Sequence, residues 1–181
     1  MKILRITVNN IASLAGIHSI DFTREPLRSA GLFGISGATG AGKSSVLDAL
    51  CLALFDATPR LKQVGKLEQT IDGENQKSPG TLLRRGTGSG FAEVAFVGVD
   101  QLSWTARWSI RRSHNKPEGN LQPAEMTLFR GNVLPGQDGP VEAGAKKTLV
   151  QKAIIDRIGL TFDQFTRAVL LAQNEFATFL N

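Results

Sequence analysis

Eight residues limit this chain more than any others. Gly37-Ala38-Thr39-Gly40-Ala41-Gly42-Lys43-Ser44 meets the spacing G-x-x-x-x-G-K-[ST] at each fixed position. Glycine enters left-handed backbone at no steric cost, so successive N–H groups of such a loop turn inward and form an anion nest. A helix starting at Ser44 adds the positive end of its dipole, about 0.3–1 kcal/mol in exposed settings. The context fits. Leu32-Phe33-Gly34-Ile35-Ser36 reads as a short apolar strand before the loop, and Ser44–Phe55 reads as a deeply buried helix after it. This is phosphate chemistry, and ATP with Mg²⁺ is the expected ligand. Gly37, Ala38, Thr39, Gly40, Ala41 and Gly42 supply the cradle. Lys43 gives a point charge to the β- and γ-phosphates, Ser44 offers its hydroxyl to Mg²⁺, and Ser45 reaches the α-phosphate.

The remaining sequence must supply a core around that helix. With 181 residues, 41 % of them hydrophobic, the length is that of one domain and can bury about 70 % of its unfolded surface. Residues 2–9 and 16–22 read as strands joined by a polar turn at Asn9–Ser13. Residues 60–90 are polar, without firm periodicity, and are expected to form a long, partly mobile surface excursion. Phe91–Val99 and Leu102–Ile110 read as a hairpin turning at Asp100-Gln101, and Met126–Phe129 with Val133-Leu134 as another about Gly131-Asn132. Gly136–Gly144 reads as a glycine-rich linker.

Lys146–Ile158 reads as a helix with Leu149, Ala153 and Ile154 on one side and Gly159 as its stop. Thr161-Phe162-Asp163-Gln164 has the form of a capping box opening a short helix through Arg167. A strand over Ala168–Ala172 and a helix over Asn174–Leu180 are expected after it.

Hydrolysis needs more than phosphate donors. A Walker B strand ends in Asp, and Ala95–Asp100 resembles one only superficially, because Gln101 follows and the segment reads as a hairpin edge. Ala153–Asp156 lies in helical surroundings. No Ser-Gly-Gly signature segment is present. The single cysteine, Cys51, sits in the apolar run Ala49–Leu54 and reads as a buried structural thiol; it excludes a disulfide framework within the chain and a Cys-cluster metal site. No run is long and apolar enough for a membrane span, and no signal peptide opens the chain, so a cytoplasmic protein is expected.

The net charge of +5 suits an anionic partner. In Trp104–Arg112, Trp104, Ala106, Trp108 and Ile110 share one strand face, and Thr105, Arg107, Ser109 and Arg111 share the other. The tryptophans read as core. Arg84, Arg85, Arg107, Arg111 and Lys116 are the candidate contacts to DNA phosphates.

The order strand, Asn-rich turn, strand, phosphate loop, long β-excursion and a glutamine after an apolar segment resembles the N-terminal lobe of an ABC-type ATPase head. Within that class the chain is similar to the SMC-like DNA-repair ATPases of the SbcC family. The matching segments are Ile20–Pro26, Gly37–Ser45, Leu47–Leu54, Thr58–Leu61, Gly119–Gln122, and Phe165–Arg167 through Gln173 to Phe179-Leu180. The resemblance implies an α/β fold, with a mixed sheet around the phosphate-loop helix and an antiparallel β subregion. It implies a phosphate-loop core over 1–59, a β-rich excursion over 60–144 and a helical part over 145–181 leading toward a coiled coil. It further implies that Gln173 senses Mg²⁺ and the attacking water. The implied partners are a C-terminal lobe of the same polypeptide, a second head in an ATP-sandwiched dimer, an SbcD-like nuclease protein and double-stranded DNA in a nucleoid-associated complex. An Arg found in relatives in the turn after the first strand is replaced here by Asn10-Ile11-Ala12-Ser13, and Thr39 stands where many relatives have Asn. The rival readings are a structural DNA tether of the SMC or RecN type and a small P-loop kinase, whose acceptor site and catalytic residues are not found in this sequence.

Overall fold

The computed structural model describes residues 1–30, 34–63 and 78–168. The β-branched and aromatic runs form six strands: β1 (Lys2–Ile11), β2 (Leu14–Asp21), β3 (Ser89–Val97), β4 (Ser103–Arg111), β5 (Glu125–Arg130) and β6 (Val141–Ala143). They make one sheet in the order β2-β1-β3-β4-β5-β6, and every ladder is antiparallel. Four helices accompany it: α1 (Lys43–Phe55), α2 (Pro59–Gln63), α3 (Lys147–Ile158) and α4 (Phe162–Ala168). The mixed sheet expected around the loop is not found among the described residues. Of its preceding strand, 31–33 lie outside the described residues and Gly34, Ile35 and Ser36 join no ladder.

The core lies between one sheet face and α1. Strand alternation sends Ile6 and Val8, then Val94 and Phe96, then Trp104, Ala106, Trp108 and Ile110 to that face, where all are buried. Helix α1 is apolar on almost every side and buries Ala49 through Phe55 against β3, β1, β4 and α3. Its C-terminal end is tied down. Asp56 takes a left-handed conformation (φ 53°) and donates its N–H to the Leu52 carbonyl at 3.0 Å. The Asp56 carboxylate accepts the Trp108 indole N–H at 2.6 Å and pairs with Lys147 at 2.5 Å. The Phe55 ring meets Phe162 and Phe165 at centroid distances of 5.5 and 5.2 Å.

The opposite face holds a buried polar layer. Thr7, Glu93 and Arg107 lie side by side in register. The Glu93 carboxylate pairs with Arg107 at 2.5 Å and accepts the Gly136 N–H at 3.0 Å. Thr105 donates to the Gly131 carbonyl at 2.8 Å and accepts the Val133 N–H at 3.0 Å, while Arg5 donates to the Val133 carbonyl. Residues 131–138 are therefore drawn across the sheet by buried polar side chains. This is why the expected hairpin of Met126–Phe129 with Val133-Leu134 does not form: β5 pairs with β6, which lies inside the segment read as a linker.

Two further expectations are corrected. Within 60–90, residues 78–90 are not a surface excursion: Leu82 and Leu83 are buried, and Leu83 bridges to Ile11. In α3 the buried side is Val150, Ile154 and Ile158, whereas Leu149 is 59 % exposed. The capping box before α4 is formed, with Thr161 N–H to Gln164 Oε1 at 2.9 Å and Gln164 N–H to Thr161 Oγ1 at 3.4 Å. The strand and helix expected over Ala168–Leu180 fall outside the described residues, save Ala168, which closes α4. No helix among the described residues is long and apolar enough to cross a membrane.

Burial, with a smaller contribution from nearby Asp48, pushes the Cys51 thiol up to about 12. A thiol-specific disulfide reagent at pH 8 is expected to leave Cys51 untouched in the native chain and to label it fully in strong guanidinium; rapid native labelling would contradict the packing of α1.

Candidate phosphate-binding site

The loop before α1 is built by glycine where the backbone requires it. Gly40 and Gly42 have φ of 84° and 90°, in the left-handed region. Ala41 donates its N–H to the Ala38 carbonyl at 3.2 Å, closing a turn. Gly42 carries a second constraint: a Cβ there would stand 2.6 Å from Leu14 Cδ2 and 3.2 Å from Ser13 Oγ. The glycine thus admits the turn between β1 and β2 against the loop.

Helix α1 opens at Lys43 with no side-chain cap and no acidic residue in its first turn. Its positive end is uncompensated by any side chain, which is the electrostatic condition for anion capture. Lys43 folds back over the loop and donates to the carbonyls of Gly37 at 2.7 Å and Ala38 at 2.8 Å. Residues 34–41 and Ser44 are exposed, and Ser45 is buried with its hydroxyl 3.0 Å from Ser13 Oγ. One turn further on, the buried carboxylate of Asp48 pairs with Arg60 from α2. Burial pushes Asp48 up to about 6, against the downward pull of Arg60.

The donor set is all cation, hydroxyl and backbone N–H, and it fits a polyphosphate. A hard cation such as Mg²⁺ takes oxygen ligands, and the loop offers it Ser44 Oγ, so the rest of its shell would come from phosphate oxygens and water. Among the described residues no cluster of three or more His, Cys, Asp or Glu could hold a metal ion by itself. Asp100 is no candidate for the missing carboxylate. It accepts the Leu102 N–H at 3.0 Å and the Trp104 indole N–H at 3.0 Å, in the turn after β3. That turn lies at the Lys2 end of β1, the far end of the sheet from Ser13. Asp156 is exposed on α3. Gln173 lies outside the described residues.

The basic candidates separate. Arg107 is withdrawn from DNA contact: it is 15 % exposed, pairs with Glu93 and with Asp138 at 2.6 Å, donates to the Gln137 carbonyl and stacks over Phe129. Arg84 turns inward, donating to the Ser13 carbonyl at 2.7 Å and the Ala12 carbonyl at 3.4 Å. Arg85, Arg111 and Lys116 are exposed. Sequence reasoning missed the Ser13–Ser45 and Asp48–Arg60 pairs. The first has no motif; for the second, the only signal was an acidic residue inside an otherwise apolar helix.

A phosphate-loop helix laid on an antiparallel sheet, with α3 and α4 behind it, defines an ABC-type P-loop ATPase lobe. A solved structure reported for ATP-driven dimerization and DNA-stimulated activation of SMC ATPases has this fold, with a TM-score of 0.62 at 15 % identity over 100 % of this chain and 92 % of that one. The chain belongs to the family described as AAA domain, which matches residues 5–181. It is similar to the SbcC component of the SbcCD nuclease of Pseudomonas aeruginosa, at 52 % identity over 186 residues, covering 99 % of this chain and 15 % of that protein. The protein of the same name from Rhodobacter capsulatus is 45 % identical over 184 residues, covering 99 % of this chain and 14 % of that one. That from Bacillus subtilis is 30 % identical over 181 residues, covering 100 % and 14 %. The chain therefore spans about one seventh of the length of these curated relatives.

Asp48 sets a pH dependence of stability. Its folded pKa of about 6 lies above the ordinary 3.8, so its contribution is fully present below pH 4 and is lost as pH rises through 6. Two units amount to about 3 kcal/mol. Asp21 and Asp100 are shifted downward, and their effects fall below pH 4. Denaturant unfolding between pH 4 and 7 should show this loss in the wild-type chain and its absence in Asp48→Asn; parallel curves would refute the assignment.

Proposed function

We propose that this chain is the ATP-binding lobe of an SbcC-like ATPase, and that Gly37–Ser45 is its phosphate site. The observation that carries the reading is the glycine loop set on the uncapped end of a fully enclosed helix, with Lys43 already bent across it. On binding, Lys43 would exchange its two carbonyl acceptors for β- and γ-phosphate oxygens. Loop N–H groups would hold the phosphates, Ser45 would donate to the α-phosphate, and Ser44 would ligate Mg²⁺. The metal, when bound, would offset charge on the phosphate oxygens. Gln173 is proposed to position Mg²⁺ and water.

The described residues offer phosphate donors and, near the loop, no free carboxylate to activate water. Hydrolysis is therefore assigned to a composite site. The opposing half would come from a C-terminal lobe of the same polypeptide in a second, ATP-sandwiched head. The division into a phosphate-loop core (1–59), β-rich part (60–144) and helical part (145–181) belongs to the same reading. The names of the relatives support an SbcD-like nuclease as partner and the processing of DNA ends as the task, in a cytoplasmic, nucleoid-associated complex. Double-stranded DNA would be held through phosphates by Arg85, Arg111 and Lys116, without base readout.

Purified alone, the 181-residue chain is expected to bind Mg·ATP in calorimetry and to turn it over negligibly. Lys43→Ala should lose roughly 1.5–3 kcal/mol of binding. Unchanged binding would remove the loop as the site, and robust turnover by the isolated chain would overturn the composite site. For the DNA surface, Arg111→Ala with Lys116→Ala should flatten the log–log salt dependence of duplex binding by about 0.9 per lost phosphate contact; an unaltered slope would clear both residues of that role.

A further inference from the structure

We propose that Ser13, fixed in place by Arg84, is a positioning residue for the Ser45 hydroxyl in the phosphate site; this rests on the phosphate-site reading above. The two hydroxyls stand 3.0 Å apart. Ser45 is buried and has a single hydrogen to donate. A phosphate oxygen in the nest takes that hydrogen, which leaves the Ser45 oxygen free to accept from Ser13. The result is a directed chain, Ser13 O–H to Ser45 O–H to phosphate, in which each bond polarises the next.

The place of Ser13 is determined by its backbone, not by its exposed side chain. Asn10 and Ala12 both hold left-handed backbone, with φ of 53° and 49°, a conformation that surrounding contacts must enforce. Those contacts are present. Ala12 donates its N–H to the Leu82 carbonyl at 2.7 Å, and Arg84 donates its own N–H to the Asn10 carbonyl at 2.9 Å. The Arg84 guanidinium donates to the Ser13 carbonyl at 2.7 Å. On the other side, Gly42 leaves the space that Leu14 and Ser13 occupy. The segment around Arg84 thus holds the turn against the loop, and the turn presents one hydroxyl to Ser45.

The test is ADP binding to the intact protein by calorimetry, in the presence of Mg²⁺. Ser13→Ala should weaken ADP about three- to tenfold, the range for one uncharged hydrogen bond. Ser13→Thr should restore it, and Arg84→Met should weaken it similarly. The decisive comparison is the cycle with Ser45→Ala: in that background, Ser13→Ala and Arg84→Met should change affinity by less than about twofold, because Ser13 acts only through Ser45. Equal losses in both backgrounds would show general loosening of the turn and overturn the proposal, as would wild-type affinity in Ser13→Ala. If Lys43→Ala binds ADP as tightly as wild type, the phosphate-site reading itself falls, and that is seen before any Ser13 variant is compared.

Discussion

Enclosure of α1 is the constraint on which the other features depend. A helix carrying Ala49-Leu50-Cys51-Leu52-Ala53-Leu54-Phe55 has no face to leave in water, so sheet and helices must close around it. That enclosure fixes the helix axis, and the axis fixes where its positive end emerges. Trp108 and Lys147 hold the other end through the Asp56 carboxylate. Core packing and ligand chemistry are therefore two ends of one element.

The sheet is equally committed on its second face. Glu93, Thr105, Thr7 and Arg5 are buried polar groups, and each unsatisfied one would cost a desolvation penalty of about 1–3 kcal/mol. Residues 131–138 satisfy most of them with backbone groups. The loop therefore gains its partners from side chains rather than from a ladder, and Arg107 becomes an internal strut. The same alternation that placed Arg107 opposite the tryptophans gave it the form of a DNA contact in sequence. Whether that face is open depends on a segment some 30 residues further on, which no local pattern encodes.

This separates what sequence could and could not show. The loop, α1, the β3–β4 hairpin, the buried tryptophans and the α4 capping box all rest on spacing within a few residues, and all are legible. The β5–β6 pairing, the burial of Leu82 and Leu83 and the inward turn of Arg84 rest on long-range hydrogen bonds. Leu149 shows the limit of periodicity: Val150, one residue later, has the same apolar character, and only the position of β5 and α1 decides which of the two is buried.

The costly features of this chain are concentrated at one end of the sheet. Asn10 and Ala12 hold left-handed backbone beside the loop, Gly42 is hemmed in by Leu14, and Asp48 is buried at a charge penalty that Arg60 only partly offsets. At the opposite end, Gln101 is left-handed in an ordinary tight turn, and Asp100 is stabilised rather than strained by its hydrogen bonds. Strain of this kind persists only where the surroundings over-determine it. Around the loop they do: the turn is held by Arg84 and Leu82, and the second turn of α1 by Arg60. A chain selected for stability alone has no reason to place a carboxylate or a left-handed alanine there. Their grouping around Lys43 and Ser45 is the mark of a region shaped to hold a ligand's phosphates in one geometry.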